Sequence, residues 1–481
     1  MVTMGGLWGK TLIQLASTMV LARLLEPGDF GLLAMIMAII GVVDLIRDFG
    51  LTAAILQAKE IDSKQWSSLL WLSVALGGVL MLIVAACAPL VAAFYGEDRL
   101  LVLTLAISPA LLFNGVAMPL QAAVQRRLEF ALLARIDVVS MIISVICGIS
   151  AAVLGAGVWS LVILAGSGQL YRLIILWIAA RPRFGPPRIS RDVIPMVTTG
   201  GSVLGTQLLG YAVRNLDNVI IGQQVGAGSL GQYSRAYSLF LLPLQQINGP
   251  LVRVALPVLS TLQEQGDRYR RYIRGALLVI GYVTFPAYAV AAALSAPLVE
   301  FLLGPGWEQA ATIFALLSIA GVVQVVINVQ GWIYITLGHA HRQVLYSVFH
   351  AIFVIGAYFV GIRWNGIEGL ALLYGLVTLV LLVPGFWYAI RGTFVRGSDI
   401  LNPLVRPAII APLCFAGAAW AASLTDSFPA ILQLIVGGVI GLVPLALAHL
   451  IPGVRRDTGT IVSFAKQARK PGPPAPVPPT S

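Results

Sequence analysis

The chain has 481 residues, of which 58% are hydrophobic and 11% charged, and its mean hydropathy is +0.89. A soluble core of this length needs a charged shell, and these charges are too few to make one. Soluble enzymes, secreted scaffolds and disordered proteins are thereby excluded, and lipid is left as the main solvent.

A membrane-spanning helix needs about 20 apolar residues. The apolar runs predict helices at 5–25, 30–50, 67–95, 101–122, 135–155, 158–179, 193–225, 229–260, 274–303, 309–337, 343–362, 367–390, 404–423 and 430–450. Strand-type alternation is missing, and backbone groups in hydrocarbon must pair within the segment, so the expected fold class is all-α and polytopic with about 14 crossings. The first run lacks a basic segment before it and is expected to stay as helix 1. Beyond Pro452 the tail is basic and ends in PGPPAPVPPTS, a composition that predicts disorder over 453–481. Cys87, Cys147 and Cys414 each lie inside an apolar run, which argues against a disulfide framework.

Basic residues favour alternate connections. One set carries Lys59, Lys64, Arg126, Arg127, Arg135, Arg181, Arg183, Arg188, Arg191, Arg268, Arg270, Arg271, Arg274, Arg342, Arg391, Arg396 and Arg406, while the other carries only Arg99 and Arg363. This positive-inside bias predicts cytoplasmic termini and reads the net charge of +11 as a topology signal, with no nucleic-acid partner. The expected outer loops are minimal, GEDRL at 96–100, GPGWE at 304–308 and RWNG at 363–366, and leave no outer domain to hold an active site.

A repeat runs at an offset of 200 residues. Phe30-Gly31 aligns with Leu230-Gly231, Gly28 with Gly228, Val20-Leu21 with Ile220-Ile221 and Gln14 with Arg214. The expected domains are an N-terminal lobe at 1–192, a C-terminal lobe at 193–402 and two added helices at 403–452. Parallel repeats of this kind place a substrate site between lobes, near the middle of the membrane.

Motifs for chemistry are weak. GGLWGKT at 5–11 is one residue short of a phosphate-binding loop and follows no strand, so it reads as a glycine-rich helix carrying Lys10. His339 and His341 make a poor metal site alone. Glu26 and Asp29 could serve a glycosyltransferase, but Pro27-Gly28 makes a turn and Asp29 reads as a helix cap. No cofactor, metal or catalytic residue is expected.

The informative residues are charges within the apolar runs, because a charge at membrane depth faces a cavity or a partner. Arg214, Asp217 and Arg235 share one hairpin, roughly 20, 16 and 10 Å from its turn near Gly228 at 1.5 Å per residue. Lys10 and Arg172 are also deep, Arg47 and Arg253 lie nearer one face, and Asp44 is the main acidic group in the first lobe. Asp217 either pairs with Arg235 and locks the hairpin or leaves both for a ligand. On either reading the interior is net positive, which suits a phosphate-bearing lipid.

RNLDNVIIGQQVGAGSLGQYSRAYSLFLLP at 214–243, RVALPVLSTLQ at 253–263 and ARLLEPGDFGLLAM at 22–35 resemble the lipopolysaccharide and polysaccharide export proteins, the lipid-linked oligosaccharide flippases of the multidrug-and-toxin-extrusion superfamily. The resemblance covers residues 5 to about 450. It implies two six-helix lobes plus two helices, and translocation of a polyprenyl-pyrophosphate-linked oligosaccharide from the cytoplasmic to the outer leaflet of a bacterial inner membrane. Carried over by motif, the substrate-binding candidates are Arg214, Asp217, Asn218, Arg235 and Tyr237. Lys10, Arg172, Arg47 and Arg253 come from depth and charge. The expected protein is a functional monomer working by alternating access around a central cationic cavity, with any coupling cation left open. A drug–cation antiporter needs carboxylates in that cavity, and a glycosyltransferase needs a catalytic outer loop.

Overall fold

The computed structural model describes residues 2–48, 55, 62–180, 210–211 and 215–469. Among them the secondary structure is helical: α1 Val2–Leu24, α2 Pro27–Asp48, α3 Ser63–Tyr95, α4 Arg99–Ile107, α5 Pro109–Arg126, α6 Phe130–Val153, α7 Trp159–Ala180, α8 at 215–224, α9 Ala227–Thr261, α10 Gly266–Ala293, α11 Ser295–Leu303, α12 Glu308–Thr336, α13 Ala340–Ile390, α14 Gly397–Leu424, α15 Ala430–Ala448 and α16 Pro452–Arg469. By length and composition, 11 helical stretches among the described residues can cross a membrane. One is α13, which breaks at Asn365 and Gly366 and supplies two crossings; Gly366 takes φ 57°, ψ −140°, a conformation that only glycine adopts without strain. Prolines inside α3, α5, α10, α13, α14 and α15 are tolerated because neighbouring helices satisfy the freed carbonyls. The turns at the end of the helices opposite the arginine-rich connections are short: Leu25–Glu26, Gly96–Asp98, Val225–Gly226 and Gly304–Trp307.

The chain divides into two compact units, Met1–Arg235 with Leu302–Trp307, and Ala236–Phe301 with Glu308–Ser481. This division falls inside α9.

In the first unit α3, α5, α6 and α7 bury Leu70, Leu120, Val124, Ile136 and Leu176 against one another. Small residues let the backbones approach: a Cβ on Gly115 would stand 2.8 Å from the Ser73 carbonyl oxygen, on α3. The 200-residue offset reappears in the packing of the two hairpins α1–α2 and α8–α9. A Cβ on Gly31 would lie 1.7 Å from the Ala227 carbonyl oxygen, and one on Gly231 would lie 1.7 Å from that of Pro27. Each contact maps onto the other when 200 is added or subtracted, so α1–α2 and α8–α9 meet reciprocally at a point where only hydrogen fits.

In the second unit α10, α12 and α14 enclose a core of Tyr269, Ile273, Leu277, Val325, Val329 and Ile333. α10 begins well before the expected residue 274. Its first turns are helical because Tyr269 and Ile273 are buried while Arg270 and Arg274 both donate to the fully buried carboxylate of Asp399. The arginines expected in a loop are therefore on a helix. Asp399 also accepts the Arg396 backbone N–H at 2.9 Å, which caps α14.

The tail corrects the sequence reading. Residues 452–469 form a helix, α16, where disorder was expected. The average composition hides one face: Val454 is buried, Phe464 stacks on Tyr272 at 4.8 Å, and Asp457 bridges Arg406 of α14 (2.7 Å) and the Tyr282 hydroxyl of α10 (2.9 Å). Residues 470–481 lie outside the described residues.

A candidate anion site in the first unit

GGLWGKT belongs to the continuous helix α1, so its backbone N–H groups do not form a phosphate cradle. The helix delivers Lys10 instead. Lys10 Nζ donates to Asp137 Oδ2 at 3.0 Å, and Arg172 Nε donates to Asp137 Oδ1 at 3.1 Å. Arg172 also donates from its terminal nitrogen to Gln121 Oε1 at 2.6 Å. Four helices, α1, α5, α6 and α7, thus converge on one carboxylate. Asp137 lies about 10 Å inside the Phe130 end of α6, and Arg172 about 12 Å inside the Ala180 end of α7, at 1.5 Å per residue. Two cations sharing one anion leave a net positive charge. The side chains of Lys10, Arg172 and Asp137 are 43%, 26% and 32% exposed, so a ligand can reach them.

Lys10 and Arg172 were expected as separate deep cations with Asp44 as the acidic group of this lobe. Asp44 instead pairs with Arg47, three residues along α2. That correction removes Arg47 as a free cation and makes Asp137 the counter-charge of the other two. Asp137 and Gln121 were missed. Asp137 falls close to the start of the predicted helix 135–155, but α6 starts five residues earlier and carries it deeper.

The hairpin α8–α9 also differs from one of its two expected readings. Asp217 is fully buried, yet its partner is Tyr233, whose hydroxyl donates to Oδ2 at 2.7 Å; Oδ1 accepts the Asn218 backbone N–H at 2.8 Å. The Asp217–Arg235 pair is not formed. Arg235 lies about 12 Å inside the Ala227 end of α9, its guanidinium 4.9 Å over the ring of Phe30. Its Nε is buried without a hydrogen-bond partner, and no carboxylate among the described residues forms an ion pair with it. Phe30 is held edge-on by Trp307, 5.4 Å between ring centroids, and Trp307 donates its indole N–H to the Ala22 carbonyl at 3.0 Å. Asp29 was expected to cap a helix starting at 30; α2 starts at Pro27 instead, so Asp29 sits in its first turn and accepts the Glu26 N–H at 3.4 Å.

Arg214 lies outside the described residues. Tyr237, on α9, packs against Phe240 at 5.3 Å, and Arg253 is exposed farther along the same helix; both belong to the second unit. The structure brings together Lys10 and Arg172, keeps Arg235 apart from Asp217, and pairs Arg47 with Asp44.

The helices and their crossings define a polytopic membrane protein. Its fold is similar to that of a lipid II flippase, MurJ, in an inward closed conformation, with a TM-score of 0.69 and 14% identity over 93% of this chain and 98% of that one. It is also similar to an inward-facing multidrug resistance transporter of the MATE family and MOP superfamily, with a TM-score of 0.60 and 15% identity over 79% and 94%. The profile of the family described as polysaccharide biosynthesis protein matches residues 20–312, and the chain belongs to that family. Among its relatives are the lipopolysaccharide biosynthesis protein WzxC of Escherichia coli (strain K12), 26% identical over 80% of this chain and 78% of that protein, and the teichuronic acid biosynthesis protein TuaB of Bacillus subtilis (strain 168), 23% identical over 76% of each. The succinoglycan biosynthesis transport protein ExoT of Rhizobium meliloti (strain 1021) is 24% identical over 63% of this chain and 61% of its own length.

Proposed function

We propose that the chain is a flippase of the bacterial inner membrane that moves a polyprenyl-pyrophosphate-linked oligosaccharide from the cytoplasmic to the outer leaflet, working as a monomer by alternating access with both termini in the cytoplasm. The proposed lobes are 1–192 and 193–402, with two further helices at 403–452. Family membership and the surface-polysaccharide relatives support the substrate class. The observation that carries the reading is the cationic arrangement of the first unit, with Lys10 and Arg172 sharing Asp137 near one end of the helices and Arg235 without a carboxylate near the other.

These are two stations of positive charge at different depths. The pyrophosphate enters at the Lys10–Asp137–Arg172 cluster, where it competes with Asp137 for the two cations. It leaves past Arg235, whose guanidinium exchanges an aromatic face for a phosphate oxygen. Arg214, Asn218, Tyr237, Arg253 and Arg47 are the further candidate substrate-binding residues on this reading. An interior-negative potential drives the anion outward by about 2.3 kcal/mol per charge per 100 mV, roughly 5 kcal/mol for two charges. The prenyl chain stays in lipid throughout.

The test compares surface polymer per unit of inserted protein for Lys10→Gln, Arg172→Gln and Arg235→Gln in a deletion strain. Loss of polymer with lipid-linked oligosaccharide accumulating on the inner leaflet supports the assignment. Normal polymer in the deletion strain itself overturns it and leaves the antiporter reading in its place.

A further inference from the structure

The second unit carries a groove that the transport reading does not use. One wall is α10 from Tyr282 to Ala291, and the other is α15 from Leu434 to Leu445. The cavity volume is about 430 Å³ and its lining is almost wholly apolar. Its floor includes Gly438, where an added Cβ would meet nothing within 4 Å. Val283 and Leu442 stand on its rims at 52% and 45% exposure.

One end of the groove is polar and basic. The Tyr282 hydroxyl and Arg406 both bind Asp457, which neutralises Arg406. Arg455 and Arg456, beside Asp457 on α16, are exposed and leave that end with an excess of positive charge. From Leu445 to Leu434 the wall runs about 16 Å at 1.5 Å per residue, half of a hydrocarbon core of roughly 30 Å. The groove follows the middle of α15, from about 4 Å inside its Ala448 end to about 6 Å short of its Ala430 end, with Leu294 and Leu298 lining it beyond α10. At roughly 30 Å³ for a group the size of a water molecule, its volume holds about fourteen such groups in a row, the room of one acyl chain.

We infer that this groove is a binding site for an anionic diacyl phospholipid of the leaflet on the basic side. One acyl chain lies between α10 and α15, and the phosphate sits against Arg455 and Arg456. Charge selects the headgroup, because basic pockets between helices at the membrane surface favour anionic lipids. Length and volume select a single acyl chain. The bound lipid holds α16 to α10 and α14 alongside the Asp457 contacts, so it also stabilises the fold.

The test uses the full chain in detergent, titrated with dioleoyl phosphatidylglycerol or dioleoyl phosphatidylcholine and read by native mass spectrometry and thermal unfolding. The wild type should retain a single phosphatidylglycerol and melt at higher temperature with it. Gly438→Leu, whose added Cβ meets nothing within 4 Å and whose side chain occupies the groove, should lower retention by about tenfold, a 1.4 kcal/mol change, and abolish the thermal shift. Ala287→Phe does the same from the opposite wall and serves if Gly438→Leu does not fold. Arg455→Gln with Arg456→Gln should erase the preference for phosphatidylglycerol over phosphatidylcholine. Undiminished retention in both groove variants overturns the site. Displacement of the lipid by an equimolar long-chain polyprenyl phosphate overturns the choice of occupant and gives the groove to the isoprenoid.

Discussion

Replacing Gly31 or Gly231 with alanine tests the packing on which the hairpins α1–α2 and α8–α9 depend. Each new Cβ would sit 1.7 Å from a backbone carbonyl oxygen, where real Cβ atoms essentially never approach within 3.0 Å. The obstacle is backbone, so no rotamer change relieves it, and the two hairpins must part by more than an ångström. Overpacking of this kind costs about 1–3 kcal/mol, offset by about 0.5–1 kcal/mol because alanine is the better helix former. A net loss of about 1–2 kcal/mol is expected for either variant. The contact is reciprocal, so the separation forced by one alanine already makes room for the other. The double variant should therefore cost clearly less than the sum, with a coupling of about 1 kcal/mol. Gly28→Ala and Gly228→Ala, whose added Cβ atoms meet nothing within 4 Å, are the paired controls and should be neutral. Thermal unfolding of a fluorescent fusion, followed by size-exclusion chromatography, measures all five variants. A Gly31→Ala protein that melts like the wild type, or strict additivity in the double, would refute the reciprocal contact.

Three further outcomes follow from the geometry. Asp217→Asn and Tyr233→Phe should each lower the level of folded protein by about 1–2 kcal/mol and couple strongly in a double-mutant cycle, whereas Asp217 and Arg235 should show no coupling; a strong Asp217–Arg235 coupling would restore the ion pair. Asp399→Asn leaves Arg270 and Arg274 without their shared carboxylate and should destabilise by about 2 kcal/mol, less than a fully buried pair because Arg274 is 44% exposed; an unchanged melting temperature counts against it. Cysteine at Asp98 should react with an impermeant maleimide from outside the cell and cysteine at Arg271 only after the membrane is opened, with the reverse pattern inverting the topology.

Much of the helical fold is legible in the sequence, because lipid permits few alternatives: an apolar run of spanning length between Pro-Gly or Gly-rich turns has to be a helix. The turn expected at Pro27-Gly28 lies at Leu25–Glu26, just before α2, and α9 starts at Ala227, two residues before the expected 229, so both fell within a few positions of expectation. The site was less legible. Charge counting treats Asp217 and Arg235 as natural partners, but a tyrosine hydroxyl can satisfy a buried carboxylate, and Tyr233 carries no charge to mark it. Lys10 and Arg172 meet through Asp137, which is 127 and 35 residues away from them. No local pattern encodes that meeting. α16 was missed because its apolar face is four or five residues diluted in a basic tail, and only α10 and α14 reveal what those residues cover.

The short turns have a consequence beyond this chain. Among the described residues, the connections at the end of the helices opposite the arginine-rich ones are a handful of residues each, such as Gly96–Asp98 and Asn365–Gly366, and none builds a projecting domain. On the proposed flippase reading, an enzyme that consumes the glycan would meet no projecting domain among the described residues on that side and would take its substrate from the headgroup layer, so the hand-over would be paced by lateral diffusion and by the number of loaded carriers per area of membrane.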